Sequence, residues 1–137
     1  NLSFWNGLPN LYELAKEISP DDTKFQYLDA AQLIKHILGL KKNSDEYNSN
    51  LVQKYHFVEG KRNLILKRNF HLLYLWYDVI GKEGSKHRKE IEQFAEIAKK
   101  DNIKFSHITY QEVIAKLSKE FYNGNESYCN YLTDRYL

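Results

Sequence analysis

The stretch "HLLYLWYDV", residues 71–79, decides the fold that this sequence predicts. It is a nearly continuous apolar and aromatic run whose one charged residue, Asp78, lies close to its end. Such a run is typical of a strand that is buried on both faces of a parallel sheet. We therefore expect residues 71–79 to form the central strand of an α/β domain.

The segments after this run alternate between helix and strand. Ser85 is a predicted N-cap for a helix that extends to about Lys100, and "NIKFSHITY", residues 102–110, reads as a second strand. Thr109 and Glu112 have the spacing of a capping box for a further helix. This order predicts a parallel pair of strands joined by a right-handed crossover. The predicted fold class is α/β, a layered domain with a parallel-containing central sheet flanked by helices.

Two helices are predicted before the central strand. Pro9 suits the first turn of the helix in "LPNLYELAKEI", residues 8–18. The second helix is "YLDAAQLIKHILGL", residues 27–40, with Gly39 as its stop and a polar surface loop over residues 41–53. Asp29, Gln32 and His36 lie opposite its apolar stripe. That polar face is either solvated or directed at a substrate.

The bulk composition is that of one domain over residues 1–137. The chain is 42% hydrophobic, has a net charge of +2 and contains no apolar run long enough to cross a bilayer, so no membrane partner is expected. The single cysteine, Cys129, excludes an internal disulfide and favours the cytoplasm. The sequence begins at Asn1 and has no methionine, which favours a piece of a longer protein.

Basic residues are concentrated between positions 54 and 68. This segment has five cations against one carboxylate, Glu59, and the cations are Lys54, Lys61, Arg62, Lys67 and Arg68. Such a local excess can bind the phosphates of DNA, or it can be a solvated loop.

The final segment, "ESYCNYLTDRYL", is open to two interpretations. It is a short amphipathic helix with Tyr128, Tyr131 and Leu132 directed inward, or residues 125–137 are a docking tail for a protein partner.

Three features are candidates for metal chemistry. Asp78 follows a strand, where a carboxylate can hold a divalent cation or can form a turn. "VEGK", residues 58–61, gives Glu59 and Lys61 the Glu-x-Lys spacing of magnesium nucleases. His87 and Glu90 are one helical turn apart. They could form a pair of metal ligands, or His87 could be a histidine at the margin of the core whose hydrogen bonds are made within the protein. The sequence has no phosphate-binding glycine loop and no serine elbow, which argues against nucleotide triphosphate hydrolysis and serine hydrolase chemistry.

The order of these elements resembles the later half of a restriction-endonuclease-like PD-(D/E)XK nuclease domain. The resemblance covers residues 10–115. The segments that carry it are similar in sequence to a bacterial group of restriction-type nucleases, and they are "YLDAAQLIKHILGL", "LYLWYDV", "HRKEIEQF" and "ITYQE". By this resemblance Gln32, Lys35 and His36 are catalytic: Gln32 hydrogen-bonds near the scissile phosphate, and Lys35 and His36 contact the DNA backbone.

The resemblance also implies magnesium as the cofactor. In that family the metal-binding Asp and Glu-x-Lys come before the Gln-bearing helix, so we expect the main metal ligands upstream of this chain. The chain is then the C-terminal part of a longer Mg²⁺-dependent DNA endonuclease, or it keeps the fold without catalysis. The alternative is a noncatalytic protein-interaction or DNA-binding domain that uses the basic segment 54–68 and the tyrosine-rich C-terminus. Besides DNA, the expected partner is a second copy of the chain in a homodimer.

Overall fold

The computed structural model describes residues 2–55 and 69–137. Across these residues the chain is a mixed α/β protein that is mostly helical and has a small parallel sheet. A 3-10 turn at Leu2–Trp5 precedes α1 (Pro9–Ile18), α2 (Ala30–Tyr55), β1 (His71–Trp76), α3 (Lys82–Lys100), β2 (Lys104–Thr109), α4 (Tyr110–Phe121) and α5 (Glu126–Tyr136).

The sheet consists of β1 and β2, which pair in parallel from His71 opposite Lys104 to Trp76 opposite Thr109. The helix α3 forms the crossover between them. The predicted parallel pair and its helical connection are therefore confirmed. The capping box is confirmed as well, since the Glu112 amide donates to Thr109 Oγ1 and the Thr109 amide donates to the Glu112 carboxylate, both at 3.0 Å.

One face of the sheet packs on the main hydrophobic core. Alternate residues of β1 point to this face because side chains along a strand alternate in direction. Trp76 is buried there, and Leu72 and Tyr74 pack against the core at its margin. The largest fully buried side chains are Leu8, Leu11, Ile37, Ile91 and Phe94. The core is thus formed by α1, α2 and α3 on one side of the sheet.

The opposite face of the sheet is open, which makes the prediction of burial on both faces wrong for β1. Leu73 is 59% exposed and Leu75 is 42% exposed. The three core helices lie on the other side, and at the far end of the open face Tyr136 of α5 contacts Tyr77 and Tyr110.

The helix α2 is longer than the sequence indicates. The predicted stop at Gly39 and the predicted loop at 41–53 are wrong, because α2 continues to Tyr55. The Lys41 ammonium forms an ion pair with Asp45 one turn later, at 2.6 Å, and Ser44 is buried. The 3-10 turn at Leu2–Trp5 packs beside this part of α2. A tertiary partner therefore supports a stretch whose local composition is typical of a loop.

Two further helix ends differ from the predictions. The helix α3 begins at Lys82, with Gly81 as its N-cap at φ 119°, and not at Ser85. Gly84 is buried against Asp78 and the Val79 carbonyl, where a β-carbon would collide with both. In α5 the buried residue is Cys129. Tyr128 and Tyr131 are exposed, so their predicted inward direction is wrong.

Candidate functional site

A groove lies between the first turns of α2 and the strand β1. Its volume is about 380 Å³. We call it the α2–β1 groove, and it is lined by Asp29, Gln32, Leu33, His36, Leu72, Leu73 and Tyr74. Three consecutive residues of β1 take part, so the groove follows the edge of the strand. Its walls combine an apolar surface with four polar side chains.

The pattern of apolar residues in α2 places the polar side chains in this groove. Leu33, Ile34 and Ile37 are buried in the core. Gln32 and His36 are four residues apart, so they lie one above the other on the exposed face. Asp29 precedes the helix and accepts a hydrogen bond from the Gln32 amide at 3.1 Å, which makes it the N-cap.

Gln32 and His36 are in contact within the groove. The Gln32 Nε2 and His36 Nε2 atoms are 3.5 Å apart, at the outer limit of a hydrogen bond. Lys35 is exposed beside them on α2 but does not line the groove. The structure thus brings together Gln32 and His36 and places Lys35 at their side.

Glu90 of α3 fixes the start of α2. Its carboxylate accepts hydrogen bonds from the backbone amides of Gln26 at 2.6 Å, Tyr27 at 2.7 Å and Leu28 at 3.2 Å. Charge-assisted bonds of this kind are about twice as strong as neutral ones. The segment that leads into Asp29 and Gln32 is therefore anchored to α3. Within the structure Glu90 serves this anchoring and not a metal pair with His87.

Tyr74 connects the groove to a histidine beneath it. The Tyr74 hydroxyl is 3.1 Å from His87 Nε2. Burial raises the pKa of Tyr74, and the negative charge of Asp29 raises it further. Burial lowers the pKa of His87, against the opposing effect of the Glu90 and Asp78 carboxylates. Tyr74 thus keeps its proton across the neutral range, and His87 favours its neutral form.

Aromatic rings surround His87. The centroid of the Trp76 ring lies 4.7 Å from that of His87, and Tyr27 and Tyr74 lie at 6.2 and 6.1 Å. The Trp76 indole donates to His107 Nδ1 at 3.2 Å. The His87 ring thus lies among three aromatic side chains.

Asp78, a candidate metal ligand, is occupied by contacts within the protein. Its carboxylate is 3.4 Å from the Arg88 guanidinium, which also lies over the Trp76 ring at 5.0 Å. Its backbone amide donates to Gln111 Oε1 at 3.2 Å, and its carbonyl accepts from Gln111 Nε2 at 2.7 Å. In residues 2–55 and 69–137, no three His, Cys, Asp or Glu side chains form a group that could hold a metal ion.

Most of the basic segment lies outside the described residues. Lys54 belongs to the last turn of α2. The remaining predicted DNA-binding cations, Lys61, Arg62, Lys67 and Arg68, fall beyond the described ranges, as does Glu59. Their predicted contacts with DNA and metal stay predictions.

The sequence did not single out Tyr74 and Trp76 as site residues. Both belong to the apolar run of β1, which predicts buried core positions and no site. One signal was present, because a tyrosine inside a buried run needs a partner for its hydroxyl group. That partner is His87, and its identity depends on how α3 crosses β1.

Comparisons with protein-family models, curated proteins and solved structures find no match for this chain. In the part of the chain that the structure describes, no helix is both long enough and apolar enough to span a membrane.

Proposed function

We propose that the α2–β1 groove binds the sugar–phosphate backbone of DNA as part of a metal-dependent endonuclease. The observation that carries this proposal is the joint placement of Gln32 and His36, side by side and exposed, in a groove along β1. A merely solvated helix face needs no such groove. The resemblance to restriction-type nucleases, with their layered fold, supports the same assignment of Gln32, Lys35 and His36.

The side chains of the groove have the chemistry of phosphate contacts. Gln, Tyr and Lys are common donors to phosphate oxygens in protein–DNA complexes. Gln32 supplies two amide protons and Lys35 a full positive charge next to the groove, and the Tyr74 hydroxyl lies at the groove wall in contact with His87. The one carboxylate, Asp29, caps α2, where the positive end of the helix dipole offsets its charge. Leu72 and Leu73 offer an apolar surface to a sugar ring.

Magnesium does not fit the residues described so far. Mg²⁺ is bound through carboxylates, usually with retained water. Asp29 is the groove's one carboxylate, and Asp78 is paired with Arg88. Hydrolysis of the phosphodiester therefore depends on carboxylates outside residues 2–55 and 69–137. Within those residues the proposed role is to bind and orient the backbone.

Binding of a fluorescein-labelled DNA duplex, measured by anisotropy as a function of salt, tests this proposal. We expect affinity to fall steeply as salt rises. Gln32→Ala with His36→Ala should weaken binding about thirtyfold, because each of the two lost hydrogen bonds contributes about 1 kcal/mol. Lys35→Ala should lower the slope of log affinity against log salt by about one.

The matched control is Lys89→Ala with Gln93→Ala on the exposed side of α3. This pair has the same spacing and removes more positive charge, yet it should leave DNA affinity within about twofold, since surface substitutions away from a site have small effects. Salt-independent binding, or an equal loss in the control, would contradict the proposal. Circular dichroism shows whether each variant is folded.

A second candidate function is protein interaction through the open sheet face and α5. Large apolar patches on a soluble domain mark interaction sites. Here Ile80 is 93% exposed and Tyr128 is 63% exposed. Leu73, Leu75, Tyr77, Val79, Phe121 and Tyr131 are exposed as well. This observation favours a partner protein or a second copy of the chain.

A further inference from the structure

We infer that His87 is a positioning residue that makes DNA binding in the α2–β1 groove depend on protonation, by controlling which way the Tyr74 hydroxyl donates. This inference rests on the function proposed above and adds its regulation. The geometry that carries it is the 3.1 Å contact between the Tyr74 hydroxyl and His87 Nε2, with Tyr74 also lining the groove.

The Tyr74 hydroxyl has one proton and can donate to one acceptor at a time. When His87 is neutral with its proton on Nδ1, its Nε2 accepts the Tyr74 proton in a hydrogen bond, and the groove receives no donor from Tyr74. When His87 takes a proton from solvent, Nε2 becomes a donor to the Tyr74 oxygen. The hydroxyl proton is then free to bond a phosphate oxygen in the groove.

Protonation also places a positive charge behind Tyr74. Because the ring is partly buried among aromatic side chains, this charge is less screened than one on the surface. The groups in contact with this pair or electrostatically coupled to it come from the segment before α2, from β1 and the residues after it, and from α3. They are Tyr27, Asp29, Trp76, Asp78 and Glu90. Arg88 of α3 and His107 of β2 contact the Trp76 ring.

Two effects on the protonation of His87 oppose each other. The carboxylates of Glu90 and Asp78 favour the protonated ring, whereas burial favours the neutral one, and burial prevails in the protein alone. A bound phosphate adds negative charge close to Tyr74. By linkage, protonation of His87 raises the affinity for DNA by some factor, and bound DNA lowers the acid dissociation constant of His87 by that same factor. The pKa of His87 should therefore rise when DNA binds.

The test compares affinity for a labelled duplex at pH 5.5 and pH 7.5, at one fixed salt concentration. Because the groove contains a second histidine, His36, each variant is made in the wild type and in a His36→Gln background. We expect about tenfold tighter binding at pH 5.5 in both, the value of one charge-assisted hydrogen bond. His87→Gln should reduce this ratio to within about twofold, and Tyr74→Phe should reduce it as well, leaving only the effect of the His87 charge.

Tyr74→Phe decides between positioning and mere structure, because it keeps the ring and removes only the hydroxyl. His71→Gln is the control, since His71 bonds to Ser106 and not to Tyr74, and it should keep the tenfold ratio. A second measurement follows the ring protons of His87 by NMR, where adding the duplex should raise the pKa of His87.

The outcomes separate the two proposals. A tenfold ratio that survives both His87→Gln and Tyr74→Phe overturns this inference and leaves DNA binding in place. The same holds if DNA binds and the pKa of His87 does not move. Absence of duplex binding by the wild type at both pH values overturns the inference together with the proposed function.

Discussion

Asp101 holds α1 in place, and replacing it should cost the protein much of its stability. Its carboxylate accepts from the Leu11 amide at 2.8 Å, from the Asn10 amide at 3.1 Å and from Asn10 Nδ2 at 2.8 Å. Leu8, the N-cap residue of α1, makes no capping hydrogen bond with its side chain. Asp101 therefore caps the start of α1 from a position 90 residues away in sequence.

The size of the effect follows from the burial of the three donors. Leu11 is fully buried, so its amide loses its acceptor without gaining water, at about 2 kcal/mol. Asn10 is half-buried, and its two donors can turn to water at about 0.5 kcal/mol each. Asp101→Ala should thus lower the free energy of unfolding by about 3 kcal/mol.

Asp101→Asn should cost about half as much. The amide oxygen can keep the bond to Leu11, but a neutral acceptor makes bonds about half as strong as a charged one. Urea unfolding followed by circular dichroism measures both variants, with Asp134→Ala on exposed α5 as the control at under about 0.5 kcal/mol. A loss below 1 kcal/mol for Asp101→Ala, or equal losses for Ala and Asn, would refute this reasoning.

Two other predictions concern pH and the C-terminal helix. Since burial lowers the pKa of His87 from its ordinary value of 6.5, the unfolded chain binds this proton more readily, so the free energy of unfolding should fall as pH drops from 7.5 to 5.5. Urea titrations should show a smaller fall in His87→Gln, and an unchanged difference between the two proteins across this range contradicts the assignment. Tyr128→Ser with Tyr131→Ser should change stability by under about 0.5 kcal/mol because both rings are exposed. If the second candidate function holds, the same pair of substitutions should reduce self-association or partner binding in sedimentation velocity. In contrast, Cys129→Ser should lower the free energy of unfolding by about 1–2 kcal/mol, because Cys129 is buried.

The parts of the fold that depend on local signals were predictable from the sequence. The helix that begins at Pro9, the two strands and the Thr109–Glu112 capping box each follow from residues that are close together in the chain. Gln32 and His36 on one exposed helix face follow from helical periodicity in the same way. These features need no knowledge of distant contacts.

The features that failed depend on contacts between distant segments. Gly39 and the polar residues after it have the composition of a loop, yet they are helical in the structure, where the N-terminal turn packs against α2. The exposure of Leu73 and Leu75 depends on whether helices cover one face of β1 or both. The apolar run alone does not indicate the number of covered faces. The Tyr74–His87 contact likewise arises where α3 crosses the strand.

The Gln111 side chain acts as a surrogate peptide group at the end of β1. Its carboxamide offers one donor and one acceptor to the backbone of residue 78, as a neighbouring strand would. A carboxamide has no titration in the physiological range, so this link between strand and α4 has the same strength in acid and in base. The scaffold around Asp78 therefore stays constant while the histidine nearby changes its charge.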